Sequence, residues 1–96
     1  MKAILQLHEK KAFKNGMVLE IKLWEVARNK RYPDGIRYSL LFIDPPTGKK
    51  ILMDNHTPKG HHYHINDKEH EYTYADINKL IKDFKAFVKT HMGVTL

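Results

Sequence analysis

Apolar and polar residues alternate with a period of two through the first three quarters of the chain, which is the spacing of half-buried strands. The clearest stretch is 17–26, where one face is apolar and consists of Met17, Leu19, Ile21 and Leu23. Further strand-like stretches lie at residues 3–14, 36–43, 50–53, 61–65 and 71–74, separated by turn residues such as Asn15-Gly16 and Asn66-Asp67-Lys68. We therefore predict four to six strands.

The hydrophobic period changes to 3.6 near residue 75, which predicts one amphipathic helix over residues 76–91. Its apolar stripe is expected to consist of Ile77, Leu80, Ile81, Phe84, Phe87, Val88 and His91. Thr73, three residues before Asp76, resembles a capping box, and Gly93 is expected to end the helix. We predict a single α+β domain over residues 1–96. It is an antiparallel β-meander of four to six strands, followed by one C-terminal helix packed on one face.

The charge of the chain points to a polyanionic partner. Its 17 Lys and Arg exceed its 11 Asp and Glu, which gives a net charge of +6 and a pI of about 9.6. A basic domain attracts nucleic acid, although solubility or an acidic protein partner explains the same charge. The lack of cysteine excludes a disulfide framework, a thiolate zinc site and a thiol nucleophile. No stretch approaches the roughly 20 apolar residues that span a membrane.

Histidines are concentrated in one short segment. The chain has 7, and four of them fall within residues 53–64, namely His56, His61, His62 and His64. Side chains alternate across a strand, so His62 and His64 should share one face while His61 and Tyr63 share the other. Because Tyr63 is expected to face the helix, the pair His62 and His64 is expected on the open face of the sheet. Neither imidazole is expected in the core.

Three interpretations of this segment remain open. Histidine changes charge near neutral pH, so His62 and His64 can act as a general base and a general acid in RNA cleavage. The base takes the proton of the 2′-hydroxyl, and the acid protonates the departing 5′-oxygen. Lys59 and the N–H groups around Gly60 would then stabilise the phosphorane, and Asp54 would orient an imidazole.

In the metal interpretation, His62 and His64 supply two ligands, and His56 or Asp54 supplies a third. In the last interpretation, the segment is a polar loop without chemistry.

The chain resembles the TumE family of toxins from prokaryotic toxin–antitoxin modules. The resemblance is centred on Asp54-Asn55-His56, Lys59-Gly60 and His62-Tyr63-His64. It extends to residues 18–21, 24–26, 37–40, 43–44, 72 and 80–84. It implies a small cytoplasmic toxin, an antitoxin with a helix-turn-helix domain encoded nearby, and RNA cleavage as the usual activity. It implicates Asp54, Asn55, His56, Lys59, Gly60, His62 and His64. The position of His61 is often acidic in the family, which weakens the metal interpretation and leaves Asp54 as the nearby carboxylate.

Taken together, these observations predict a toxin that acts as a metal-independent endoribonuclease without a cofactor, with His62 and His64 as its acid–base pair. His56 or Lys59 would contact the scissile phosphate. RNA would be held by Arg28, Lys30, Arg31, Arg37, Asn55 and Gly60. The expected partners are RNA and the antitoxin, and no association with a membrane is expected. A homodimer is compatible with the sequence. The alternatives are a non-catalytic nucleic-acid-binding or protein-interaction module and a metal-dependent hydrolase with histidine ligands.

Overall fold

The computed structural model describes residues 4–56 and 59–96 and contains a six-stranded antiparallel sheet followed by one helix. Its elements are β1 (Ile4–Ala12), β2 (Val18–Glu25), β3 (Ile36–Asp44), β4 (Lys49–Asp54), β5 (His62–Ile65), β6 (Lys68–Glu71) and α1 (Ile77–Met92). The strands lie side by side in the order of the sequence. The predicted meander with a C-terminal helix is therefore confirmed.

Most strand bounds agree with the sequence analysis, but the last strand was predicted too late. It was expected at 71–74 and lies at Lys68–Glu71. Asn66 adopts a positive φ of 56°, which allows Asn66 and Asp67 alone to close the hairpin between β5 and β6. The chain therefore re-enters the sheet three residues earlier than the hydrophobic pattern indicates.

The core lies between α1 and one face of the sheet. Its fully buried side chains are Tyr38, Leu40, Phe42, Ile51, Met53, Leu80, Phe84 and Val88. The helix contacts the sheet at β4, and its stripe of Leu80, Phe84 and Val88 is buried as predicted. His91 is exposed in the last turn, where the helix dipole favours a basic side chain. Its expected place in the apolar stripe is therefore wrong.

Both ends of α1 are capped. Asp76, rather than Thr73, is the N-cap, because its backbone is extended and its Oδ1 accepts the Lys79 N–H at 2.8 Å. The expected capping box at Thr73 is therefore wrong. Gly93 has a φ of 69° and donates its N–H to the Lys89 carbonyl at 3.1 Å, which confirms the predicted stop.

Strand β1 carries an irregularity that the sequence pattern did not indicate. The pairing register with β2 shifts between Leu5 and Leu7, so Leu5 pairs with Trp24 whereas Leu7 pairs with Leu23. The two leucines consequently lie on opposite faces of the sheet, although the alternation over residues 3–14 predicts that residues two apart share a face. Both are exposed, at 52% and 40%, respectively. Ala3, which the alternation placed in this strand, lies outside the described residues.

An acid-sensitive contact joins α1 to the segment that precedes it. Lys79 Nζ and the Tyr72 hydroxyl both donate to Asp83 Oδ2, at 2.6 and 2.7 Å. Burial opposes ionisation, but the two hydrogen bonds outweigh it and hold the pKa of Asp83 below its usual value of 3.8. A carboxyl with a depressed pKa contributes stability above its unfolded pKa, and that contribution is lost as pH falls through the folded pKa.

We therefore expect Asp83→Asn to lower the free energy of unfolding at pH 7 by about 1 kcal/mol, a value discounted for partial exposure. The difference from the parent protein should shrink as the pH falls below 3.8, the usual pKa of this carboxyl, toward the lower pKa of the folded state. Urea titrations of both proteins at pH 7 and pH 3 measure it. The exposed Glu9→Gln on β1 is the control for loss of one negative charge. A difference that is the same at both pH values would contradict this account.

Candidate functional site

Two rows of side chains run across the strands on the open face of the sheet, defined here as the face turned away from α1. Residues that pair across antiparallel strands point to the same side. The first row consists of His8, Lys22, Ser39, Asp54, His62 and Glu71. The second consists of Lys10, Glu20, Leu41, Leu52, His64 and Glu69. Each histidine of β5 thus lies opposite a carboxylate of β6, and His62 also lies opposite Asp54 of β4.

His62 has an acceptor at both ring nitrogens. Its Nδ1 lies 2.7 Å from the Gly60 carbonyl, and its Nε2 lies 3.0 Å from Asp54 Oδ1. The Gly60 carbonyl can only accept a hydrogen bond, so Nδ1 carries a proton and donates it. The Asp54 carboxylate also accepts, so its contact is a hydrogen bond when Nε2 carries a proton as well. The imidazolium form therefore satisfies both contacts. His62 is only 7% exposed, so the expectation that it lies outside the buried interior is wrong.

His64 lies beside His62 and is more accessible. The two ring centroids are 5.1 Å apart, and the planes are inclined by 78°. His64 Nε2 is 3.5 Å from Glu69 Oε1, and Lys59 Nζ contacts the same oxygen at 2.5 Å. The hydrogen bond from Lys59 holds the pKa of Glu69 below its usual value, so Glu69 is ionised at neutral pH.

Glu69 is a site residue that the sequence analysis missed. The last strand was expected at 71–74, which left Glu69 in a turn rather than opposite His64. The signal that finds it is the Asn66-Asp67 pair, because a two-residue hairpin places residues 64 and 69 directly across from each other. Asp54 is therefore not the only carboxylate near the histidines.

His61 lies on the other side of the sheet, as the alternation predicts. Burial raises the pKa of Tyr38 far above its ordinary value, so the Tyr38 hydroxyl keeps its proton and donates to His61 Nδ1 at 2.9 Å. His61 Nε2 then donates to Asp34 Oδ2 at 2.7 Å, and the ring stacks on Tyr74 at 4.7 Å. A neutral imidazole satisfies both contacts. His61 thereby ties the β4–β5 loop to the β2–β3 loop.

Asn55 is buried, and its side chain is hydrogen-bonded to the backbone of β3. It is 3% exposed. Its Oδ1 accepts the Tyr38 N–H at 2.9 Å, and its Nδ2 donates to the Ile36 carbonyl at 2.7 Å. Both ends of the amide are thus used on the backbone of β3, an arrangement that gives the side chain a structural role and leaves its RNA contact a prediction.

A depression on the open face includes Asp54, whose carboxylate contacts His62. It is lined by Trp24, Arg37, Tyr38, Ser39, Asp54 and His56. The Arg37 guanidinium lies over the Trp24 ring at 4.9 Å, an arrangement that fixes its charge toward the open face. His56 is exposed, and its N–H donates to Asp54 Oδ1 at 3.2 Å. Arg37 and His56 thus lie in the same depression as Asp54, the carboxylate that contacts His62.

The remaining predicted RNA contacts lie in loops at the same end of the sheet. Arg28, Lys30 and Arg31 are exposed in the β2–β3 loop, which the Asp34–His61 contact joins to the β4–β5 loop. Gly60 lies in the β4–β5 loop with a positive φ of 72° and orients His62 through its carbonyl. Thr57 and Pro58, which belong to the same histidine-rich segment, lie outside the described residues.

A set of metal-ligand atoms is present at the same place. Among residues 4–56 and 59–96, the one group that converges in this way is His62, His64 and Glu69, whose ligand atoms all lie within 4.8 Å of one another. The metal interpretation named His56 or Asp54 as the third ligand. The structure supplies Glu69 instead.

Comparison with known protein families identifies a match that covers most of the chain. A family model described as Toxin TumE matches residues 2–92 of the 96-residue chain, a range that includes both rows of the open face and the whole of α1. No curated protein matches the chain at a significant level, and no solved structure does. In the part of the chain that the structure describes, no helix has the length and apolar character needed to cross a membrane.

Proposed function

Because the chain belongs to the TumE family of toxins, we propose that it arrests growth by cleaving RNA with His62 and His64 as its acid–base pair. Membership of a toxin family implies a cognate antitoxin as its protein partner. The observation that carries the proposal is the pair of imidazoles on the open face, 5.1 Å apart and each beside a carboxylate. Groups in different environments can hold the two protonation states that such a reaction needs.

The surroundings of the two rings divide the roles. His62 lies between two acceptors, so both of its ring N–H groups have a partner when it carries the proton to be donated, and we assign it as the acid. The His64 side chain is 22% exposed against 8% for His62, and its carboxylate contact is longer. His64 is therefore the base that meets the substrate from the solvent side.

The reaction has one transfer step. His64 takes the proton of the 2′-hydroxyl, whose oxygen attacks the neighbouring phosphorus, and His62 gives a proton to the departing 5′-oxygen. The products are a 2′,3′-cyclic phosphate and a 5′-hydroxyl. Lys59 stabilises the negative charge that develops on the phosphorane, and His56 contacts the same phosphate.

The RNA backbone is held beside this pair by positive charge. Arg37 in the depression and the basic residues of the β2–β3 loop, Arg28, Lys30 and Arg31, supply it on one end of the sheet. We further propose that residues 1–96 act as one domain in the cytoplasm, and that the antitoxin carries a helix-turn-helix domain. A homodimer is compatible with this proposal.

A second candidate function, a metal-dependent hydrolase, is favoured by the convergence of His62, His64 and Glu69. Cleavage of a defined RNA by untagged protein distinguishes the two. Under the acid–base proposal, cleavage continues in excess EDTA and yields 2′,3′-cyclic phosphate ends. Cleavage that requires added metal and yields 5′-phosphate ends would replace it with the hydrolase. Salt-sensitive RNA binding without any cleavage would indicate a binding module.

A further inference from the structure

We propose that His62, His64 and Glu69 form a binding site for a late first-row divalent metal ion such as Zn²⁺, and that the bound ion inhibits the toxin. The binding site stands on the geometry alone. The inhibition rests on the proposed function, because it requires that the two histidines act as acid and base.

The ligand atoms are close to the spacing that such an ion imposes. Metal–ligand bonds of about 2.0–2.2 Å in a tetrahedral site place neighbouring ligand atoms roughly 3.3–3.6 Å apart. His64 Nε2 and Glu69 Oε1 are 3.5 Å apart, and the atoms of all three residues lie within 4.8 Å of one another. Small side-chain rotations therefore bring the three ligands around one ion.

The surroundings of His62 also suit a metal ligand. Its Nδ1 donates to the Gly60 carbonyl at 2.7 Å, which leaves Nε2 as the nitrogen that can bind an ion in place of its contact with Asp54. Histidines that bind metals usually donate their second N–H to a carbonyl or carboxylate in this way, and the contact fixes the ring orientation. The backbone of Gly60, with its positive φ, provides this support independently of any neighbouring side chain.

The donor set indicates which ions fit. Two imidazoles and one carboxylate suit zinc, cobalt, nickel and copper, whereas magnesium and calcium prefer sites made of oxygen ligands. Three protein ligands leave the fourth tetrahedral position open to water.

Metal binding and acid–base catalysis exclude each other at this site. An ion on His62 Nε2 takes the place of the proton that His62 donates in the reaction, and an ion on His64 Nε2 removes the base. Two contacts compete with the ion for its ligand atoms. Lys59 contacts the Glu69 carboxylate, and Asp54 contacts the His62 ring. Binding is therefore expected to be reversible, and Lys59→Ala is expected to tighten it.

Cobalt binding tests the site without any measurement of activity. The protein is purified without a histidine tag, treated with a chelator and titrated with Co²⁺, whose visible absorption reports four-coordinate binding. One ion per chain is expected. Glu69→Gln should weaken binding by more than the roughly 10–100-fold that loss of an outer-shell partner causes. Glu71→Gln, on the same strand and the same face, should bind as the parent protein does.

Adding one equivalent of Zn²⁺ to the metal-free protein tests the inhibition. RNA cleavage by the parent protein is expected to fall at least about tenfold, whereas Glu69→Gln should keep most of its own metal-free activity. Absence of cobalt binding, or binding that Glu69→Gln leaves unchanged, would overturn the site while the ribonuclease proposal stands. Binding accompanied by activation would overturn the inhibition and the metal-independent mechanism. Binding by a protein that cleaves no RNA under any condition would support the site and remove the proposed function.

Discussion

His64→Ala is expected to slow RNA cleavage by roughly 10²–10⁴-fold while the protein stays folded, because it removes the general base. The side chain is partly exposed, and its one carboxylate contact is 3.5 Å long, so little stability depends on it. Single-turnover cleavage of a defined RNA measures the chemical step. Growth arrest on expression gives the same comparison in cells.

His62→Ala is expected to slow RNA cleavage by a similar factor. It is also expected to lower the free energy of unfolding. The partly buried Gly60 carbonyl and Asp54 carboxylate each lose a donor, which costs about 1–3 kcal/mol. Activity must therefore be compared at temperatures where the variant is folded, as shown by circular dichroism.

The control for both variants is His70→Ala. His70 is exposed on β6 and stacks on Tyr63 at 4.9 Å, on the opposite face from the histidine pair. His61 is a poor control, because its contacts with Tyr38 and Asp34 hold two loops together. If His62→Ala and His64→Ala are both folded and fully toxic, the histidines are not the catalysts, and the binding-module alternative replaces the enzyme.

Phe84→Ala is expected to reduce the free energy of unfolding by roughly 3–5 kcal/mol. Phe84 is 0% exposed and lies in the middle of α1, between Leu80 and Val88 on the stripe that covers the sheet. Truncation removes the transfer free energy of the ring and leaves a cavity. A denaturant titration measures the loss. Lys85→Ala, at the adjacent exposed position, should change stability by no more than about 0.5 kcal/mol. A cost near zero at Phe84 would mean that another face of the helix packs on the sheet.

The alternation of apolar residues predicted β2, β3 and β4 well, because these central strands have one buried face. It failed at the edges of the sheet. Strand β6 (Lys68–Glu71) is exposed at every residue, so burial imposes no pattern on it, and β1 changes register at Gln6. Glu69 was missed for the same reason, since its place in the site depends on a turn and not on hydrophobicity.

The candidate site was predicted in outline. Alternation alone separates His61 from His62 and His64, and this separation is what the structure has. The pattern could not reveal that Asn55 is committed to the backbone of β3, since a polar residue after a strand is equally typical of an exposed loop. It also could not reveal that His62 is buried, because that depends on how closely the Gly60 carbonyl and Asp54 approach the ring.

The order of the strands has a consequence for the speed of folding. Each strand pairs with its neighbour in sequence, and the connections range from two residues at Asn66-Asp67 to ten at residues 26–35. Short loops cost little entropy to close, and sheets built from such local contacts fold faster than those that join distant segments. The buried core forms only when α1, which follows all six strands, reaches the sheet. We therefore expect a toxin of this topology to complete its fold soon after α1 is synthesised, because the helix is the last element that the core requires.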